Sequence, residues 1–204
     1  MVEDRRGREA KKVRRKKTIL VALVMLAAVP AMALDKEDVS VEKEDRSYLI
    51  RAVFDVPAGV DQVKSVLTDF THPSRLSSAV TAREVLGQQD GVVRVRTEFR
   101  DCVLFFCKKM ILIHDVTVSA NEVRADVVPE GSDFRHGFLR WSIHAIDSET
   151  SHVDFEAVME PDFFVPPIIG GFLVRNALTK QVLATAENLV IEAPRESPTT
   201  DEKQ

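Results

Sequence analysis

The chain has 204 residues, with 28 Lys and Arg against 32 Asp and Glu, a net charge of −4, and two cysteines. Nine of the basic residues fall in the first 17 positions, which leaves 34–204 with 19 basic and 29 acidic side chains and a net charge of about −10. So acidic a chain is poorly suited to nucleic acid or to broad electrostatic adhesion on anionic lipid, both of which reward basic surface.

The N-terminal segment reads as a targeting signal. The basic region ends at Lys17, an apolar run covers Thr18 to Val29, and Pro30 is followed by Ala31-Met32-Ala33. A basic stretch, a short apolar core and a small-x-small site predict a secretory signal peptide over 1–33, cleaved after Ala33. The alternative is an uncleaved membrane anchor, although the run is shorter than the ~20 residues a spanning helix needs. Export to a periplasmic or extracellular space is therefore expected. The remaining 171 residues suit one domain with room for a modest cavity.

Residues 34–45 are charged and are expected to form a mobile lead-in to a domain over 46–193. Tyr48 to Val56 alternates as a strand, with Tyr48, Ile50, Ala52 and Phe54 on one face. Pro57 ends it, and Val60, Val63, Val66, Leu67 and Phe70 then recur at helical spacing over 58–70. From Val80 to Glu160 the pattern is almost wholly of period two, interrupted by polar turns at 87–91, 119–121, 129–132 and 147–150. Val93, Val95, Thr97 and Phe99 oppose Arg94, Arg96, Glu98 and Arg100. Leu139, Trp141 and Ile143 oppose Arg140, Ser142 and His144, and Val153, Phe155, Ala157 and Met159 oppose Asp154, Glu156 and Glu160. One wet face and one dry face describe an antiparallel sheet solvated on a single side.

No Gly, Pro or Asn interrupts the chain between Gly91 and Val118, too long a stretch for one ordinary strand. A hairpin tip at Val103, Leu104, Phe105 and Phe106 would place Cys102 opposite Cys107, at a separation suited to a disulfide in an oxidising compartment. A strand running straight through would point the two sulfurs to opposite faces and forbid the bond. An all-apolar tip breaks ordinary turn chemistry. One reading is a tip that dips transiently into a membrane, with Lys108 and Lys109 at the headgroups, or into a partner's groove; the other folds the tip beneath the first helices as core.

The last element follows Pro166 and Pro167. From Ile168 to Ala193, Phe172, Leu178, Val182, Leu183, Ala186, Leu189, Val190 and Ala193 fall within roughly 140° of one helix face. The dry face of the sheet is the surface this helix covers. Residues 194–204 are polar and expected to be disordered.

Two segments carry a family resemblance. Phe54-Asp55-Val56-Pro57-Ala58 leads into Val63-x-x-Val66-Leu67-Thr68-Asp69-Phe70, and Pro161-Asp162-Phe163-Phe164-Val165-Pro166-Pro167 leads into the last helix. In them the chain resembles the START-like (SRPBCC) superfamily, in the branch of polyketide cyclases, dehydrases and lipid transport that includes coenzyme-Q-binding members. The resemblance covers about 46–193. It implies an α+β helix-grip fold, with a curved antiparallel sheet of six to seven strands wrapped on a long C-terminal helix, and an apolar ligand between them.

On that frame the expected pocket lining is Val95, Phe99, Leu139, Trp141, Ile143, Phe155 and Phe172. Arg175 falls within the apolar stripe and is a candidate polar anchor, or else it pairs with Asp162 or lies along the surface with its head in water. His114 lies in an apolar strand and could project into the pocket, although a core histidine with its hydrogen bonds satisfied is the reading preferred. Asp69 and Asp133, each beside a Phe at an element end, fit capping or turns. The histidines lack metal spacing, and two thiols fall short of a metal's four ligands, so neither metal nor cofactor is expected. The reading is an exported, monomeric protein that binds a lipid, sterol or quinone without transforming it. Its rivals are a cyclase-like enzyme acting on a polyketide or aromatic substrate, and an envelope interaction protein without a ligand.

Overall fold

The computed structural model describes residues 38–103, 106–165 and 172–196. The period-two segments form β1 (Val39–Glu44), β2 (Ser47–Val56), β3 (Val80–Gln89), β4 (Val92–Val103), β5 (Phe106–Val118), β6 (Glu122–Val128), β7 (Phe134–Ala145) and β8 (Ser151–Pro161). They pair antiparallel in one curved, unclosed sheet of order β1-β2-β8-β7-β6-β5-β4-β3. Among the described residues two helices accompany it, α1 (Val60–Leu67) and α2 (Phe172–Glu192), and a 3-10 turn over Ala193–Arg195 ends the described chain. The fold is the expected α+β helix grip, with eight strands in place of six or seven.

The additional strand comes from the charged segment. Val39 and Val41 are buried in the core, and β1 pairs along β2 from Val39 opposite Ala52 to Glu44 opposite Ser47. Only two apolar residues alternate there, too weak a signal to stand out among the surrounding charges, yet an open β2 edge is enough to recruit them. The expected lead-in is thus part of the sheet from Val39 onward. The start of the supposed disordered tail is likewise ordered. A 3-10 turn runs on to Arg195, and Glu196 accepts a hydrogen bond from Gln62 Nε2 on its carbonyl at 2.6 Å. The predicted signal peptide lies outside the described residues.

Local chemistry explains the element ends. Asp90 and Gly91 both have positive φ, 52° and 79°, as the tight β3–β4 hairpin requires. The helix α1 is shorter than its spacing predicts. It ends at Leu67 because the Thr68 hydroxyl donates to the Lys64 carbonyl at 2.8 Å, and Asp69 turns forward to accept from Thr71 N at 3.0 Å and Thr71 Oγ1 at 2.6 Å. Asp133 similarly accepts from Ile111 N at 2.7 Å. Asp69 thus has the turn role expected of it, whereas the Asp133 side chain ties its loop to β5, 22 residues away along the chain.

On the solvated face, cross-strand ion pairs run along the sheet, among them Arg94 with Asp115 and Lys109 with Glu98. The inner face is apolar and covered unevenly. Val63 and Val66 of α1, and Ala186 and Leu189 of α2, close one end of it into a packed core with Val95, Ile143 and Val153. The other end is not filled by side chains.

Candidate functional site

The unfilled end is a cavity of about 640 Å³, within the range of small-molecule sites. Its floor is the inner face of β2 and β4–β8, including Tyr48, Ile50, Phe99, Met110, Leu112, Leu139, Trp141, Phe155 and Ala157. Trp141 and Phe155, opposite each other on β7 and β8, bring their rings to 4.2 Å between centroids. The roof is α2, through Val174, Ala177, Leu178, Gln181, Val182 and Thr185. The side wall holds Leu67, Phe70 and Leu76 from α1 and the loop after it.

Of the residues expected to line the pocket, Phe99, Leu139, Trp141 and Phe155 do so. Val95 and Ile143 point to the same face but lie at 0% exposure in the packed core, because α1 and the C-terminal part of α2 already fill the space above them. Phe172 does not line the cavity, and Arg175 takes the surface position given as the alternative to a pocket anchor. Phe172 is 77% exposed, and Arg175 faces solvent. Apolar residues nearly encircle the N-terminal half of α2, so spacing alone does not select its inward side. Val174, Leu178, Gln181 and Thr185 form the side that faces the cavity. Asp162, the suggested partner of Arg175, instead receives Arg135 Nε.

The cysteine pair forms as the hairpin reading anticipates. Cys102 stands opposite Cys107 and Val103 opposite Phe106, with a disulfide and a Cα separation of 4.0 Å. Leu104 and Phe105 lie outside the described residues, as do the side chains of Val103 and Phe106, and with them the expected membrane-contact tip. Cys107 and Lys108 nevertheless line the cavity. Beside them, Lys108 Nζ sits 3.9 Å over the Phe163 ring, which meets Phe134 edge-on at 6.4 Å. Phe164, also a lining residue, is 79% exposed. Among the described residues, Lys108 and the exposed Phe164 mark the more open end of the cavity.

Polar groups enter at the other end. Arg83, Thr97 and His114 all line the cavity, and each has a buried side-chain atom without a hydrogen-bond partner: Arg83 Nε, Thr97 Oγ1 and His114 Nδ1. Sequence reasoning missed Arg83 because a β-bulge decides its direction. Val80 stands opposite Phe99, but Ala82 stands opposite Glu98, so Thr81 is the extra residue and the alternation inverts. Arg83 then falls opposite Thr97 and points inward, where unbroken alternation from Val80 would turn it to water. His114 is 9% exposed and lines the cavity with Nδ1 unpartnered, the alternative to the satisfied core histidine. Burial, reinforced by the Arg83 charge and opposed by Asp115, pushes its pKa down to about 4, so it is neutral near pH 7. Burial also lowers the Arg83 pKa, with Asp69 opposing; at neutral pH the guanidinium remains a cation.

A second polar cluster braces the roof. Arg75 reaches Asp69 at 3.1 Å, Glu192 at 3.0 Å and Glu196 at 2.6 Å, joining the loop after α1 to the end of α2. Burial would raise the Asp69 pKa, but hydrogen bonds from Thr71, His72 and Arg75 outweigh it and hold the carboxyl well below the usual range. Asn188 Nδ2 donates to the Leu76 carbonyl at 3.1 Å, and Ser77 Oγ donates to Gln181 Oε1 at 3.0 Å.

A helix closed over one half of a curved antiparallel sheet, with an apolar cavity beneath it, defines the helix-grip class of small-molecule-binding folds. Within that class the chain belongs to the polyketide cyclase / dehydrase and lipid transport family, whose pattern matches residues 48–193. Solved structures agree on the fold. The Zhui aromatase/cyclase from Streptomyces sp. R1128 aligns with a TM-score of 0.61 at 14% identity, over 73% of this chain and 94% of its own. A STAR-related lipid transfer protein from Xanthomonas axonopodis aligns at 0.57 and 15% identity, over 78% and 99%. A START superfamily protein from Mycobacterium smegmatis aligns at 0.57 and 14%, over 72% and 97%. Comparison with curated protein sequences returns no match.

Proposed function

We propose that this is an exported carrier that binds one hydrophobic molecule, of the lipid, sterol or quinone kind, in the cavity between the sheet and α2. The observation that carries this is the cavity itself: about 640 Å³ lined mainly by apolar side chains, in a chain whose other half packs its interior closed. Burial of apolar ligand surface, at roughly 25 cal/mol per Å², would supply the affinity. The lipid transfer relative supports transport as the role. The hairpin end and Phe164 border the opening, which suits exchange at a membrane or with a partner that presents the ligand.

Native mass spectrometry and organic extraction of protein purified from its own compartment test the reading. One apolar molecule per chain is expected. Protein that carries none, and that also fails to bind the neutral probe N-phenyl-1-naphthylamine, overturns it. A second reading is a cyclase-like enzyme on a polyketide or aromatic substrate, favoured by Arg83 and neutral His114 within the cavity and by the aromatase/cyclase relative. Its signature is a bound molecule that leaves chemically changed.

A further inference from the structure

We propose that Arg83, Thr97 and His114 form a head-group site at the inner end of the cavity, and that the ligand is a single-chain amphiphile ending in a carboxylate. This rests on the cavity binding an apolar molecule, and names which kind.

Buried polar atoms in folded proteins nearly always have partners, and an orphan costs desolvation energy that no contact returns. Among the described residues, the buried side-chain atoms without partners are Arg83 Nε, Thr97 Oγ1 and His114 Nδ1, and all three residues line this cavity. They come from neighbouring strands. Arg83 and Thr97 are directly opposed on β3 and β4, while His114 on β5 stands opposite Val95, two residues from Thr97. Three orphans on one patch point to a ligand group that completes them.

The donors indicate its charge. Arg83 gives one terminal nitrogen, Nη1, to the Asp69 carbonyl at 3.3 Å, which leaves its Nε–Nη2 edge. Arg94 uses that same edge to hold both oxygens of Asp115 at 2.7 Å. The edge matches a carboxylate in spacing and plane. Thr97 adds a hydroxyl, and neutral His114 can offer one N–H from the tautomer that carries it. Arg83 makes no ion pair among the described residues, so the patch carries a single cation, with Asp69 a counter-charge acting on it from a distance. A monoanion neutralises it; a phosphate dianion would bury excess negative charge.

Position indicates the tail. On β5, Lys108, Met110, Leu112 and His114 all line the cavity. Six residues of extended strand separate the opening at Lys108 from His114, roughly 20 Å, with apolar side chains between. The ligand enters head first and leaves its chain along Met110 and Leu112 toward the opening.

Calorimetric titration of the delipidated protein with palmitate, hexadecanol and hexadecyl phosphate tests this, with N-phenyl-1-naphthylamine as a neutral control. Wild type is expected to bind palmitate about 10- to 100-fold more tightly than hexadecanol, the range that charge-assisted hydrogen bonds supply. Arg83→Met should abolish that preference by weakening palmitate far more than hexadecanol, with an unchanged far-UV circular dichroism spectrum and a cooperative thermal transition showing that the variant is folded. Thr97→Val should reduce the preference in part. Equal affinity of wild type for palmitate and hexadecanol overturns the head-group site, as does a preference that survives in Arg83→Met. Tighter binding of hexadecyl phosphate overturns the carboxylate assignment. Failure of all four probes to bind wild type sinks the carrier reading itself.

Discussion

His114 is held neutral inside the cavity wall, and that has a measurable consequence. Its pKa falls from an ordinary 6.5 to about 4 on folding, chiefly through burial. Between those values the unfolded chain binds more protons, so stability declines as pH drops from about 6.5 toward 4 and levels off below. The loss amounts to ~3 kcal/mol. Urea denaturation of wild type and His114→Gln at pH 7 and pH 4.5 should show a smaller difference between the two pH values in the variant. A variant as acid-sensitive as wild type would remove His114 from the explanation. Asp69 acts in a different window. Its lowered pKa contributes stability that is complete above the usual carboxylate range and lost only as pH falls below about 4, so the pH 4.5 measurement leaves it intact.

Among the elements, β7 contains a glycine with a steric reason to be there. Gly137 has φ of 149°, and a Cβ added to it would run into the Val158 carbonyl on β8. Gly137→Ala should therefore destabilise the protein by about 1–3 kcal/mol, read as a lower denaturation midpoint with the denaturant slope unchanged. Arg75 links three carboxylates on separate elements, so Arg75→Ala removes their common partner and leaves them facing one another. A loss of about 1–3 kcal/mol is expected by the same measurement, together with faster hydrogen exchange at the C-terminal end of α2. The disulfide closes only a short loop. Replacing Cys102 and Cys107 together with serine should cost at most about 2 kcal/mol, in line with a bond that shapes one hairpin end.

For the whole molecule, an open cavity makes stability depend on ligand. A ligand at 100 times its Kd should stabilise the fold by about 2.7 kcal/mol, seen as a concentration-dependent rise in Tm. Ala177 offers a steric control, since it lines the cavity from α2 without belonging to the packed core. Ala177→Trp should weaken N-phenyl-1-naphthylamine binding by about tenfold or more, leave the apo protein at least as stable, and blunt the ligand-dependent rise in Tm. Unchanged probe affinity would place the binding site elsewhere.

Strand alternation along β4, β7 and β8 and the opposed cysteines were legible in the residues themselves. Each rests on local periodicity or on spacing within one hairpin, which a sequence records directly. Four of the expected lining residues followed from the same periodicity, because a dry face is a property of a strand. Which part of that face is cavity and which part is core was not legible. Val95 and Ile143 are filled over by α1 and α2, and that depends on where two helices land. The orientation of α2 decided Phe172 and Arg175, since its apolar residues leave more than one side able to face inward. A single extra residue at Thr81 turned Arg83 from solvent to the interior, and the alternation carries no mark of it. The sequence by itself determined a two-faced antiparallel sheet, a helix to cover it and a hairpin closed by sulfur. Only the tertiary structure decided that the cover is incomplete and that a cation lies beneath it, because voids and inward charges are set by distances between elements far apart in the chain.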